Sequence, residues 1–299
     1  MAYQYEKVRC VNHNKKGVRF IKANDVFDPN IEYTYVKCPV CGLIYANPRF
    51  DSRSINDYYK NIYSKEDFTV DASYLFKLKK LQFSFNRKIK SVKNGRLLDI
   101  GCGDGFFLRM QKERGWEVYG QDINPKAVKN LEKMSIKCYS CDINKMPKKN
   151  YFDVVTLFHV LEHISNPKKF LLDIKSLLKK NGSLVIEVPN INSFEAKIFK
   201  SSNIYLGVPV HFYQFSEQSL RFLLESVGFI VKSVKYNWAS PQAYTFSFIH
   251  LLEKTFNFRI NVKTKFLISL LLIPVTMPLH GLASLFKKSN TLTLYAKFK

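Results

Sequence analysis

From Gly95 to Phe229 the chain alternates short apolar runs with longer stretches of helical periodicity. The runs are Leu97–Ile100, Val118–Gly120, Ile136–Tyr139, Phe152–Phe158 and Ser183–Val188, with Phe229–Tyr236 following. Apolar runs of this length, spaced by segments long enough for a crossover helix, predict parallel strands buried on both faces. The helix that begins at Pro167 is expected to reach Lys180 and to stop at Asn181-Gly182. Ser216 to Ser219 reads as a cap and polar first turn of a helix reaching Gly228. Ahead of this core, residues 1–50 read as a β-rich ribbon and 51–94 as a helical cap, with Tyr58, Tyr59, Tyr63, Tyr74, Leu75, Leu78 and Leu81 supplying its apolar face. Thr291–Lys297 reads as a last strand.

The first strand runs into Asp99-Ile100-Gly101-Cys102-Gly103-Asp104-Gly105. Alternating glycines let a backbone approach a ligand without a Cβ in the way, and the helix that follows offers unpaired N–H groups. The spacing is not that of a dinucleotide fingerprint, and acids at Asp99 and Asp104 would repel a pyrophosphate while suiting a cationic cofactor. Asp122 closes the second strand about 20 residues on, a spacing suited to a ribose diol. Asp142-Ile143 follows the third strand, where a carboxylate can accept from an adenine amino group while the apolar neighbour packs on the ring.

Together LLDIGCGDG at 97–105, YGQDIN at 119–124, CDI at 141–143 and FHVLEHI at 158–164 resemble the class I S-adenosylmethionine-dependent methyltransferases. The nearest branch holds the ubiquinone-type O-methyltransferases and the sugar and polysaccharide-cluster enzymes. The resemblance spans roughly Gly95 to Phe229. It implies a Rossmann-like α/β fold with a seven-stranded, mostly parallel sheet. It also implies a cofactor site formed by Asp99, Gly101, Cys102, Gly103, Asp122, Ile123, Asp142, Ile143 and Phe158, with Asp99 near the methionine end, directly or through water. His159, just after the fourth strand, has the best place for a base, and His211, on the loop from Pro189 to Phe215, is the second candidate. That loop, with Tyr205, Tyr213 and Gln214, leaves the carboxyl edge of a parallel strand and is the expected substrate rim. A structural role is the alternative for either histidine, and organising the loop or binding a metal are the two readings of Glu162 and His163.

A second constellation lies at the N-terminus. Cys10-x-x-His13 and Cys38-x-x-Cys41 form two ligand pairs with the spacing of a tetrahedral structural zinc site, and Gly42 permits the turn after the last thiolate. Metal-free packing of the same residues and redox chemistry are the alternatives. Cys138 and Cys141 share the spacing but flank a strand, where burial as small hydrophobes accounts for them.

The chain has 299 residues and a formal net charge of +23, with lysine spread along most helices. Such a balance reflects compositional bias, an anionic membrane surface or nucleic acid. Met1 to Cys10 is polar and without an apolar core, so an intracellular chain with reduced thiols is expected.

The apolar and basic stretch 241–290, set between the core segments 95–240 and 291–299, contains Glu253 as its one acid, and Phe266–Phe286 carries no charged residue. Pro274, Pro278, His280 and Gly281 interrupt that run, and a single crossing would separate the two strands it joins. A monotopic or shallow re-entrant anchor is therefore expected, with Lys254, Arg259, Lys263, Lys265, Lys287 and Lys288 near lipid phosphates. Packing on the protein body or a dimer interface is the alternative. The expected protein is a cytoplasmic methyltransferase peripheral to the inner face of the membrane. It would act on a polar or lipid-linked acceptor, such as a sugar in polysaccharide or glycolipid synthesis. A polyprenyl-quinone O-methyltransferase, an RNA methyltransferase and a non-catalytic membrane scaffold follow in that order.

Overall fold

A computed structural model describes residues 3–63, 87, 89, 95–237 and 242–298. Tyr74, Leu75, Leu78 and Leu81 of the expected cap lie outside the described residues. The N-terminal part holds strands β1 (Tyr5–Glu6), β2 (Val18–Asn24), β3 (Glu32–Lys37), β4 (Ile44–Ala46) and β5 (Arg49–Phe50), then helix α1 (Ser52–Tyr58). Next come β6 (Arg96–Ile100), α2 (Phe106–Glu113), β7 (Glu117–Gln121), α3 (Pro125–Lys133), β8 (Lys137–Tyr139), β9 (Phe152–Phe158), α4 (Pro167–Leu177) and β10 (Leu178–Pro189). The remainder is α5 (Phe194–Phe199), β11 (Tyr213–Gln214), α6 (Glu217–Ser226), β12 (Phe229–Asn237), α7 (Ala243–Phe256), α8 (Val262–Leu271), α9 (Ile273–Leu285) and β13 (Thr291–Phe298).

Seven strands make one mostly parallel sheet in the order β12-β13-β10-β9-β6-β7-β8. Its ladders from β10 through β9, β6 and β7 to β8 are parallel. The central strands are apolar on both faces because helices cover both: Leu97, Leu98, Val155, Leu157, Leu184 and Ile186 are all fully buried. Helix α3 starts where Asn124 accepts from the Lys126 N–H and Pro125 occupies the first turn, and it buries Ala127, Val128 and Leu131. β6, β7 and β9 therefore end on the same edge, as parallel strands must, and the motif residues follow them there.

By internal contacts the chain divides into two compact units. One contains the described residues of Arg87–Val188, Leu220–Lys235 and Thr293–Lys299. The other contains the described N-terminal residues up to position 63 with Pro189–Ser219 and Tyr236–Leu292. In the latter, β2, β3, β4 and β11 form an antiparallel sheet in the order β11-β4-β3-β2. Its core is aromatic: Tyr33, Tyr35, Tyr45 and Phe50 are buried. The Tyr35 hydroxyl lies 2.8 Å from the carbonyl oxygens of both Leu206 and His211, either of which can take its proton.

The structure corrects one sequence expectation. Helix α4 ends at Leu177, not Lys180, and Asn181-Gly182 lies inside β10. Leu178 already pairs with Phe152, and the ladder shifts register before Ser183 meets Val154. Asn181 takes φ 64° within that excursion. Its left-handed preference is used for a bulge, not for a helix stop.

Candidate active site and metal centre

The glycine loop is built by backbone conformations that side chains disfavour. Gly101 has φ +67°, and a Cβ there would stand 2.5 Å from Val160 Cγ2. Gly105 has φ +71°, and a Cβ would meet Leu131 Cδ2 at 2.6 Å. Asp122 holds the other side: its Oδ2 accepts from the Gly103 N–H at 2.9 Å and its Oδ1 from the Asn124 N–H at 2.8 Å. The acid expected to bind a diol is thus fixed in place while still half-exposed. Next to it Ile123 is 76% exposed, an apolar surface standing in solvent beside a carboxylate. Asp142 is exposed and lies 3.8 Å from Lys145, whereas Ile143 is buried beneath it. Phe158 is buried and stacks edge-on against Phe107.

Asp99 sits beside Thr156 in the β6–β9 ladder, and the Thr156 hydroxyl donates to it at 2.5 Å. Burial pushes its carboxyl up to about 7, against the pull of that hydrogen bond. Cys102 is buried with its sulfur 3.8 Å from that of Cys138. The hydrogen bond with Cys138 and burial raise its thiol pKa, so it remains a protonated thiol and a poor nucleophile.

His159 departs most from its simple sequence reading. It takes φ 57°, a left-handed backbone unusual for a residue with a Cβ, while its N–H donates to the Glu187 carbonyl at 2.9 Å. Its Nδ1 lies 3.4 Å from Glu162 and its Nε2 3.6 Å from Glu187, both carboxylates being buried. Burial opposes the charged ring, but the hydrogen bonds and charges of the two glutamates outweigh it and raise its pKa to about 9. At neutral pH the ring is an imidazolium. Glu187 is held ionised by the Arg87 guanidinium at 2.9 Å and accepts the Thr293 hydroxyl at 3.0 Å, while Arg87 also covers the Phe158 ring at 4.1 Å. Despite its burial, its carboxyl lies well below the usual range. Glu187, Arg87 and Thr293 were missed in the sequence. The available signal was an acid inside the otherwise apolar run Ser183–Val188.

His211 belongs to the other compact unit. Its Nδ1 lies 2.9 Å from the Tyr205 carbonyl, which can only accept. The proton of the neutral ring is therefore on Nδ1 and the lone pair on Nε2. Gly207 is required beneath it, since a Cβ there would stand 2.5 Å from the ring.

In the same unit Cys10, His13, Cys38 and Cys41 bring one donor atom each to within 4.8 Å of one another. The sulfurs of Cys10 and Cys41 are 3.6 Å apart. A tetrahedron with zinc–sulfur bonds of about 2.3 Å has edges of about 3.8 Å, so the donor set fits zinc. The knuckle is closed by the Gly42 N–H donating to the Cys38 carbonyl at 3.0 Å, with Gly42 at φ +71°.

A family model described as a methyltransferase domain matches residues 72–234. The chain belongs to this methyltransferase family. Its core is a class I S-adenosylmethionine-dependent methyltransferase domain, as the motifs implied. Among curated relatives, a tRNA U34 carboxymethyltransferase of Vibrio cholerae is 30% identical over 151 residues, covering 48% of this chain and 47% of that protein. A ubiquinone biosynthesis O-methyltransferase of Pelagibacter ubique is 32% identical over 138 residues, covering 43% of this chain and 57% of its own. The chain thus spans about half the length of the curated relatives it matches. The Burkholderia thailandensis 1,6-didemethyltoxoflavin-N1-methyltransferase, solved with S-adenosylhomocysteine, shares the fold. It superimposes with a TM-score of 0.52 at 13% identity over 93% of this chain and 99% of that one.

Proposed function

We propose that the protein transfers a methyl group from S-adenosylmethionine to a polar or lipid-linked small-molecule acceptor, a sugar of polysaccharide or glycolipid synthesis being the favoured class. The observation that carries the cofactor assignment is the anchored Asp122 facing the left-handed glycine loop. In this reading Asp122 takes the ribose hydroxyls, Ile123 and Ile143 sandwich the adenine, and Asp142 accepts from its amino group. Asp99, Gly101, Cys102, Gly103 and Phe158 line the methionine end. Asp99, raised to about 7 when alone, is held ionised by a cationic amino group beside it. The bound cofactor supplies an electrophilic methyl on a sulfonium sulfur.

The two histidines have different tasks. His159, an imidazolium clamped by Glu162 and Glu187, has no lone pair to take a proton, and it orients the loop after β9. His211, with its Nδ1 proton fixed on Tyr205, meets the requirement for removing a proton from an acceptor hydroxyl. Cys10, His13, Cys38 and Cys41 hold a structural zinc that ties the start of the ribbon to its knuckle. The protein works in the cytoplasm at the inner face of the membrane. The similarity to a ubiquinone biosynthesis enzyme supports a polyprenyl-quinone phenol as the second choice of acceptor.

The test is transfer of labelled methyl from S-adenosylmethionine into cell fractions. Label in the lipid-linked saccharide fraction, lost in His211→Ala, supports the proposal; label confined to RNA overturns the acceptor class.

A further inference from the structure

The helices of the insertion are inside out for a water-exposed element. From Leu267 to Phe286 every exposed residue is apolar, glycine or proline, while the polar Ser269, Thr276 and His280 are buried. Ser269 and Thr276 donate to carbonyls of their own turns, Phe266 at 2.6 Å and Leu272 at 3.1 Å, and the His280 ring packs edge-on against Tyr244. Leu267, Leu271, Val275, Leu279, Leu282 and Leu285 stand out from the surface, Leu271 at 79% and Leu285 at 82% exposure. More than half of the large exposed apolar side chains among the described residues lie in α7 to α9 and their connections. Monomeric proteins in water rarely present such a contiguous face.

Charge and geometry indicate what covers it. Glu253, the sole acid of the insertion, is buried and neutralised internally, accepting from Lys265 Nζ and the Ile260 N–H, each at 2.7 Å. The rim is left with Lys254, Lys263 and Lys287 exposed. Among the described residues no single helix is long and apolar enough to cross a membrane, and α8 and α9 meet at a 74° bend. An apolar bent face with a cationic border fits one leaflet of an anionic bilayer. At both ends the insertion is tied to the loop that carries His211. The Ser247 hydroxyl of α7 donates to Glu195 at 2.6 Å and accepts the Ile204 N–H at 3.2 Å, and the Phe194 N–H donates to the Lys288 carbonyl at 3.0 Å.

We infer that the α8–α9 elbow inserts into one leaflet of an anionic membrane, and that its attachment to the His211 loop makes a lipid-linked molecule of that leaflet the acceptor. The second clause rests on the proposed methyltransferase function; the docking itself does not.

The test is flotation of the zinc-loaded protein with vesicles of phosphatidylcholine alone or with about one-third phosphatidylglycerol, at low and high salt. Strong binding to the anionic vesicles, weakened by salt, is expected. Leu271→Asn with Leu285→Asn should cut the bound fraction at least tenfold, and Lys263→Gln with Lys287→Gln should weaken binding to anionic vesicles only. Circular dichroism and S-adenosylmethionine binding identify any variant that fails to fold. Native protein that stays in solution with both vesicles overturns the inference, as does a dimer dispersed by the leucine variants without vesicle binding. If the protein floats but methylates no lipid-linked fraction, docking stands and the acceptor class falls. If it binds S-adenosylmethionine but does not float, the docking falls while the methyltransferase reading remains.

Discussion

The charge state of His159 can be tested against its surroundings. Two buried carboxylates within 3.6 Å raise the ring from an ordinary pKa of 6.5 to about 9. That displacement is worth roughly 3 kcal/mol, of which about 2.5 kcal/mol is present at pH 7. A pKa raised on folding stabilises fully below the unfolded value, and the benefit is lost as pH rises through the folded value. The stability advantage of the native chain over His159→Gln should therefore shrink by roughly 2.5 kcal/mol between pH 7 and pH 10. Glu162→Gln removes one carboxylate while Glu187 keeps its Arg87 and Thr293 partners. Burial then counts for more, and the ring should titrate near or below its ordinary value. Denaturant unfolding across pH measures the first effect, and the imidazole resonances in a nuclear magnetic resonance titration measure the second. A native midpoint near 6.5, or one unmoved by Glu162→Gln, would refute the imidazolium.

Other expectations concern separate parts of the molecule. Asp99→Asn removes a carboxylate whose folded pKa of about 7 lies above its ordinary 3.8, so it should raise the melting temperature by roughly 4 °C or more at pH 8, by roughly a third as much at pH 5, and not at all below about pH 4, where both states are protonated. The same variant should weaken S-adenosylmethionine binding by at least about tenfold, since each 1.4 kcal/mol lost is tenfold. One zinc per chain should be found by metal analysis, and a strong chelator should lower the melting temperature; Cys38→Ser should bind less zinc even while the methyltransferase core keeps its circular dichroism. Gly101→Val adds a Cβ 2.5 Å from Val160 at a left-handed position and should abolish cofactor binding measured by calorimetry.

The parts legible in the sequence were those fixed by local rules. Buried parallel strands advertise themselves as apolar runs, and the glycine loop and the acids at strand ends follow them directly, so Asp99, Gly101, Gly103, Asp122 and Asp142 could be singled out from order alone. The Cys10 and Cys38 pairs gave their spacing in the same way, and the structure brings all four donors together. What the sequence hid depended on contacts across long separations. Glu187 passed without notice inside the run Ser183–Val188, because only the fold brings Arg87, His159 and Thr293 around it. His159 suggested a base because its neighbours in space were unknown, and a carboxylate on either side changes its chemistry. β11 was invisible because two residues acquire strand character only by pairing with β4. At Asn181, turn chemistry was read correctly but attached to the wrong element, a bulge inside β10.

Calorimetric titration of zinc-loaded protein with S-adenosylmethionine, alongside Asp122→Ala, decides whether the glycine loop and Asp122 form a cofactor site. Micromolar, one-to-one binding is expected for the native chain, lost in a variant that remains folded. A folded native chain that takes up no S-adenosylmethionine, or an Asp122→Ala variant that binds as well as the native one, would contradict such a site.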